Sequence, residues 1–523
     1  MSLREALKYS RRCVRETLRG IMSNCAAAIN VSERYAWERF LPQFTCNLLL
    51  GLILALALTA CTARNVGPIN EPASGSTQET ARFINDYGDD GSLIVGVAFS
   101  GGGTRAAAFA YGIMSELDAI SIDEIPRKRT VSDSIRMVSG TSGGAVAAAY
   151  FAFRGPDEFH HFRERFLLQD IEQSLHTSLA SPANLVRALG GGMNDRDGFA
   201  KWLDDELFHG ATFSAFDSDL APLLWLNATD ISHGVPFLFT HETFAALCSD
   251  LDQVRIADAV AASAALPVAF SPIDVRAYGP DCDYQTPSWK ARALTDPHAP
   301  LRLNAYARAL ESYRGDNSLT LIRILDGGIT DNIGITGLAL ARASAETPYG
   351  PLTEVQAVNL ERLLFIVADA GKAPKPAWVM IDRSPRLREI APALTNATIA
   401  ASVRKGFDAL GLAVRDWQQD IIRFRCGLTE EQVREHRGSL DGWNCSDVQI
   451  AVELLSFRDI EPSMQSRLNQ IPTRLVLTEE QVDLVINAGR EAVRKNAAIQ
   501  TTVGDIRQGS DLNDENSDYD GPP

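Results

Sequence analysis

The chain has 523 residues, 45% hydrophobic and 22% charged, enough to bury one large core or two to three smaller ones. Its 50 basic and 66 acidic residues leave a net charge of −16, with no basic block anywhere. That balance fits an ordinary folded protein and argues against a nucleic-acid partner.

The first distinctive segment is "LLLGLILALALTA", residues 48–60, which carries no charge and is followed by Cys61. It falls short of the roughly 20 apolar residues of a membrane-spanning helix but suits the core of a signal peptide. Residues 1–46 hold eight basic and four acidic side chains, a net positive flank; Met1 and Met22 both stand as possible starts. Leu58-Thr59-Ala60-Cys61 resembles a bacterial lipobox, so residues 1–60 are expected to be a lipoprotein-type signal and Cys61 the lipidated N-terminus. Thr62, in place of an aspartate, favours an outer-membrane anchor facing the periplasm. A plain signal peptide or signal anchor is the alternative. Residues 61–91, rich in Gly, Pro, Ser and polar side chains, read as a flexible tether.

The body then alternates strand-like and helical runs. "SLIVGVAF" (92–99) predicts a buried strand, and Thr104 to Ala119 predicts a helix. Between them lies Gly101-Gly102-Gly103, where unpaired N–H groups at a helix start form an anion site. Thr104-Arg105 does not supply the Lys-Ser/Thr of a P-loop, and Ala106 breaks the dinucleotide pattern G-x-G-x-x-G. An oxyanion hole is the remaining use. Arg105 either orients this loop or pairs with a surface carboxylate.

"IRMVSGTSGGAVAAAYFAF" (135–153) runs from a strand end into a helix through Gly140-Thr141-Ser142-Gly143-Gly144. Read as G-x-S-x-G it is a nucleophile elbow, with Gly140 and Gly144 giving the serine room; an ordinary Gly-rich loop is the plainer reading. "GGGMNDRDG" (190–198) reads as a mobile loop and part of a lid. "PLLWLNATD" (222–230), "SLTLIRIL" (318–325) and "RLLFIVAD" (362–369) predict further strands, the near-continuous hydrophobicity of the last two matching a sheet covered on both faces. Asp326-Gly327-Gly328 puts a carboxylate at a strand's C-terminal end, where open α/β sheets keep their ligands. Asp331 nearby suits a structural turn equally well.

Beyond residue 375, Ile399, Val403, Phe407, Leu410, Val414 and Trp417 recur at helical spacing, and Val448 to Leu454 alternate as a half-buried strand. Thr478 with Gln481 three residues on forms a capping box that opens a final helix. The end of the chain, from residue 509 to 523, is acidic, turn-rich and expected to be disordered. Four cysteines follow Cys61 in two local pairs, Cys248 with Cys282 and Cys426 with Cys445; disulfides suit an oxidising compartment, and composition is equally compatible with free thiols.

Together the Gly-rich loop with its Arg105, the Ser142 elbow and Asp326-Gly327-Gly328 resemble the patatin-like phospholipases. "AASAALPVAFSP" (261–272) matches a fourth family segment whose role spacing alone does not explain. The resemblance covers residues 92–375 and departs from the usual pattern at Ala106. It implies a three-layer α/β/α sandwich around a mostly parallel sheet, with residues 376–508 as a mainly helical extension. It also implies hydrolysis of phospholipid or lysophospholipid acyl esters by a Ser142–Asp326 dyad, with Gly101, Gly102 and Gly103 as oxyanion donors. Arg105, Gly140, Gly144, Gly327 and Gly328 would support the site. No cofactor or metal is expected, since no Cys/His metal spacing follows Cys61. A Ser-His-Asp hydrolase in the α/β chain order would leave His436 as the only histidine after Asp326, in the charged run "EEQVREHRG". The rival reading is a lipoprotein that binds lipid or scaffolds the envelope on the same fold without turnover.

Overall fold

The apolar runs become the strands of one sheet. The computed structural model describes residues 67–73, 91–123, 129–178, 180–196, 198–217, 221–279, 282–315, 319–372 and 384–506. The expected signal segment, Cys61, most of the tether and the acidic tail lie outside the described residues. Among the described residues, 180–190 form a separate piece that carries a short helix, Pro182–Leu189, and the rest form one compact unit.

The sheet has eight strands: β1 (Leu93–Phe99), β2 (Ile135–Thr141), β3 (Leu223–Asp230), β4 (Val235–Leu238), β5 (Ile273–Arg276), β6 (Leu321–Asp326), β7 (Arg362–Asp369) and β8 (Gln449–Ser456). Their order is β8-β7-β1-β2-β3-β6-β5, with β4 paired to β3. The run from β8 to β3 is parallel, while β4 and β6 pair antiparallel with β3 and β5 antiparallel with β6. All seven residues of β1 are buried, as a strand covered on both faces must be.

Period-two alternation divides the core. Val95, Val97 and Phe99 of β1, with Leu364, Ile366 and Ala368 of β7, pack into one apolar cluster. That cluster also holds helices α1 (Thr104–Asp118), α2 (Gly143–Phe159), α3 (Ile256–Ser263) and, after α4 (Leu301–Gly315) and α5 (Leu387–Cys426), α6 (Glu479–Lys495), which a further helical stretch, 497–506, follows. Ile94 and Ala98, with Leu363, Phe365 and Val367, face the other cluster, against Val403, Leu410, Val414 and Trp417 of α5. The result is the expected α/β/α arrangement. No described helix is long and apolar enough to cross a membrane.

The region beyond residue 375 is built into this body. The half-buried alternation of residues 449–456 becomes edge strand β8, parallel to β7. Helix α6 starts at the Thr478–Gln481 capping box and crosses α1 so closely that a Cβ on Gly112 would lie 2.1 Å from the Ile486 carbonyl oxygen. Cys248 pairs with Cys282 and Cys426 with Cys445.

Candidate active site

Three loops converge at the carboxyl ends of the parallel strands: the glycine loop after β1, the elbow after β2 and the Asp-Gly-Gly turn after β6. Ser142 occupies a backbone conformation that L-residues rarely adopt, φ 53° and ψ −120°, between β2 and α2. Strain of this kind costs on the order of 1–3 kcal/mol and persists only where neighbours enforce it.

Those neighbours are identifiable. A Cβ on Gly143 would lie 2.1 Å from the Gly103 carbonyl oxygen, so the start of α2 is pressed against the glycine loop. Added Cβ atoms at Gly140, Gly144 and Gly327 would likewise collide with backbone. The Ser142 N–H donates to the Ser263 hydroxyl at 2.9 Å, and that hydroxyl donates to the Asn227 carbonyl at 2.5 Å. Two residues on, the Ala265 carbonyl accepts the Asp326 N–H at 3.0 Å. The 261–272 segment thus braces both the serine and the aspartate, a role its spacing did not disclose. The Asn227 side chain ties β2 to β3 by donating to Ser139 and to the Gly140 carbonyl.

Ser142 and Asp326 line the same cleft, and Ser142 is among the groups that favour the charged form of the Asp326 carboxyl. Asp326 is buried, and its carboxylate accepts the Gly328 N–H at 2.8 Å. Burial pushes this carboxyl up to about 6, against the opposing pull of the Gly328 N–H and of Ser142. A carboxylate so placed is a stronger proton acceptor than an exposed one and still ionises below neutral pH. Asp331 is structural: it accepts the N–H groups of Ile333, Gly334 and Thr336.

The glycine loop differs from expectation at one position. Gly101 is not a free donor, because its N–H donates to the Asn332 carbonyl at 2.8 Å. The N–H groups of Gly102 and Gly103 have no partner among the described residues, and both residues line the cleft. Gly103 sits at φ 63°, and a Cβ there would strike the Arg474 carbonyl, which accepts the Thr104 N–H at 2.9 Å. Arg105 is buried rather than paired at the surface. Its guanidinium donates to the carbonyls of Ala370 and Ile471 at 3.1 and 3.0 Å, tying the loop to the segments after β7 and before α6. Burial lowers it to about 10, partly opposed by Asp369.

The cleft over these residues measures about 1240 Å³. Val146, Met193, Phe199, Leu266 and Phe270 line one part of it. Within the 190–198 loop, Asn194 lines the cleft, and it is buried and sewn to its neighbours as part of a wall. Its side chain donates to the His176 and Ala269 carbonyls and accepts the His176 N–H, while its backbone bonds Ala269 and Ser271. Only chain-distant partners make that wall, so a local glycine count read it as loose.

His436 lies away from the cleft, with Nε2 3.5 Å from Glu354. A Ser-His-Asp chain does exist elsewhere: Ser312 Oγ meets His233 Nε2 at 2.9 Å, and His233 Nδ1 meets Asp230 at 2.5 Å. Neither Ser312 nor His233 lines the cleft, and Ser312 is bonded to the Ala309 carbonyl within α4, whose N–H groups are committed to the helix. A trio of possible metal ligands, Asp217, His241 and Asp252, also lies outside the cleft.

A strained serine and a buried aspartate thus line one cleft with the amides of Gly102 and Gly103, beside a mostly parallel sheet. Residues 97–339 match the model of the patatin family, described as patatin-like phospholipase, so this stretch is a patatin-like domain. The match supports lipid ester hydrolysis. No curated protein matches the chain. Among solved structures, human GIVD cytosolic phospholipase A2 is 13% identical over 80% of this chain and 60% of its own, with a TM-score of 0.35. VipD from Legionella pneumophila is 12% identical over 83% of this chain and 70% of its own, with a TM-score of 0.28. The chain therefore spans less than two thirds of the human enzyme's chain.

Proposed function

We propose that the protein is a membrane-tethered lipid acyl hydrolase that cleaves carboxylic esters of phospholipids or lysophospholipids through a Ser142–Asp326 dyad. The observation that supports this reading is the strained Ser142 lining one cleft with the buried Asp326, whose carboxyl burial pushes up to about 6. In the first step Asp326 takes the serine proton while Oγ attacks the ester carbonyl carbon. The tetrahedral oxyanion is met by the N–H groups of Gly102 and Gly103, each such donor contributing about 3–4 kcal/mol. The intermediate collapses to an acyl-serine, and the departing alkoxide leaves as an alcohol with the proton held by Asp326. Water then repeats the sequence: Asp326 takes its proton, the acyl bond breaks and Ser142 regains a proton.

A fluorophosphonate ester probe tests the assignment. Wild-type protein is expected to be labelled at Ser142, and Ser142→Ala to lose both labelling and ester hydrolysis with an unchanged melting temperature. Labelling at another residue, or lipid binding without any turnover, would favour the rival non-catalytic lipoprotein. Tethering rests on the lipobox-like residues 58–61, and several acyl chains would hold the enzyme on its substrate surface where one would not. Radioactive palmitate should label the expressed protein and not Cys61→Ser.

A further inference from the structure

Apolar residues line the cleft on both sides of the site, Leu454 and Phe457 among them, but its cations gather on one side. The other side is formed by Val146 of α2 with Met193, Phe199, Leu266 and Phe270. The cationic side lies past the carboxyl ends of β7 and β8, where Lys372 and Arg458 line the cleft together with Arg404 of α5. In a chain of net charge −16, three cations on one wall require explanation.

They are not there to satisfy one another or the surrounding protein. The side chains of Lys372 and Arg404 make no hydrogen bond or ion pair among the described residues, and neither does the Arg458 guanidinium. Besides Asp326, the acidic groups lining the cleft are Asp369 and Glu172. Glu172 is committed to the Arg474 guanidinium and the Leu475 N–H. Asp369 accepts the Gly371 N–H at 2.8 Å, feels both Arg105 and Arg458, and is pushed upward by burial. Arg105 and Arg458 thus share one carboxyl, and burial with the neighbouring Arg105 lowers the Lys372 ammonium to about 8. Lys372 is half-buried, whereas Arg404 and Arg458 are exposed on the same cleft, and a partly desolvated cation without a full counter-charge is stabilised when an anion enters.

Position completes the argument. In the order β8-β7-β1-β2, Ser142 follows β2 and the glycine loop follows β1. Adjacent strands lie about 4.8 Å apart, so the cations stand roughly 10–15 Å from the serine before their long side chains reach back. A glycerophospholipid carries its phosphate a few bonds from the ester carbonyl, on the side opposite the acyl chain. With the carbonyl at Ser142 and the chain along Phe199 and Phe270, the phosphate falls toward Lys372 and Arg458.

We propose that this side of the cleft is a headgroup subsite, formed by Lys372 and Arg458 with Arg404, that selects phospholipids whose phosphate is not balanced by a headgroup cation. The proposal rests on the lipid-hydrolase reading for its orientation, and it deepens that reading by naming the substrate class.

The test is calorimetric binding to full-length Ser142→Ala, using monomeric dihexanoyl-phosphatidylglycerol and dihexanoyl-phosphatidylcholine, which avoids any effect of a charged bilayer surface. Phosphatidylglycerol should bind about tenfold more tightly, the scale of one added charge-assisted contact. Lys372→Met and Arg458→Met in that background should each bring the two affinities together, and Lys372→Arg should keep the preference. Equal affinities, or a preference that survives both methionine variants, would overturn the subsite. If the preference holds while the wild-type protein cleaves neither lipid, the subsite stands and the hydrolase assignment fails.

Discussion

Asp326 joins two properties that ordinarily conflict, burial and the need to carry charge. With its carboxyl raised to about 6, the rate on a soluble ester is expected to climb with pH through a midpoint near 6, as the carboxylate able to accept the serine proton is populated. A pH profile of kcat/KM checks this; a flat profile between pH 5 and 8 would contradict it. The stability consequence has the opposite sense. A carboxyl whose folded value exceeds its unfolded value of about 3.9 binds its proton more tightly in the folded chain. Its contribution to stability is therefore full below pH 4 and lost as pH rises through about 6. Asp326→Asn should melt higher than wild type at pH 7.5, by at most about 3 kcal/mol, with the gap closing toward pH 4, while ester hydrolysis is abolished.

Ser263 is the second residue on which the site turns. Its hydroxyl both accepts from Ser142 and donates to Asn227, so Ser263→Ala leaves a buried donor and a buried acceptor unpaired. The expected cost is about 2–4 kcal/mol of stability, with labelling of Ser142 by a fluorophosphonate slowed by at least tenfold. Unchanged melting and labelling would show that the brace is dispensable.

At the scale of elements, the strands and the elbow were legible because they are local patterns: continuous apolar runs, a glycine on either side of a serine, a Thr-x-x-Gln at a helix start. That Ser142 and Asp326 line one cleft was suggested only by the family resemblance, since the sheet and not spacing brings them there. What stayed hidden depends on contacts between distant residues. The Ser142–Ser263 bond spans 121 residues, and the Asn194 bond to the Ala269 carbonyl spans 75. Asn332, Lys372 and Arg458 belong to no motif and reach the cleft only because they follow strands that end there. The same holds for β8 and α6, which belong to the expected extension yet cover the edge of β7 and the face of α1. A chain ended at residue 375 would expose that edge and the apolar surface beneath α6. It should be recovered as insoluble or protease-sensitive material, measured as soluble yield and limited proteolysis against the full chain.

For the molecule as a whole, two disulfides close loops of 34 and 19 residues. In the chain-entropy account these contribute about 4 and about 3 kcal/mol. Thermal unfolding in the presence of a strong reductant should therefore begin well below that of the oxidised protein, and Cys248→Ser with Cys282→Ser should reproduce part of the shift. The mature protein should also show no reactive thiol among these four cysteines when unfolded without reductant. Full alkylation at all four would remove the expectation.

The contact between the glycine loop and the start of α2 has a further consequence for how the protein tolerates change. At Gly143 and Gly327 an added methyl group meets backbone that has nowhere to go. At Gly101 and Gly328 it meets only the ends of the Asn332 and Asp326 side chains, which can swing aside. In a pooled mutational scan read by folded yield alone, alanine at the first two positions should vanish with the misfolded variants. Alanine at the other two should survive that selection and drop out only when turnover is the readout. Two neighbouring pairs of glycines would then separate what the fold demands from what the chemistry demands, without the natural substrate ever being identified.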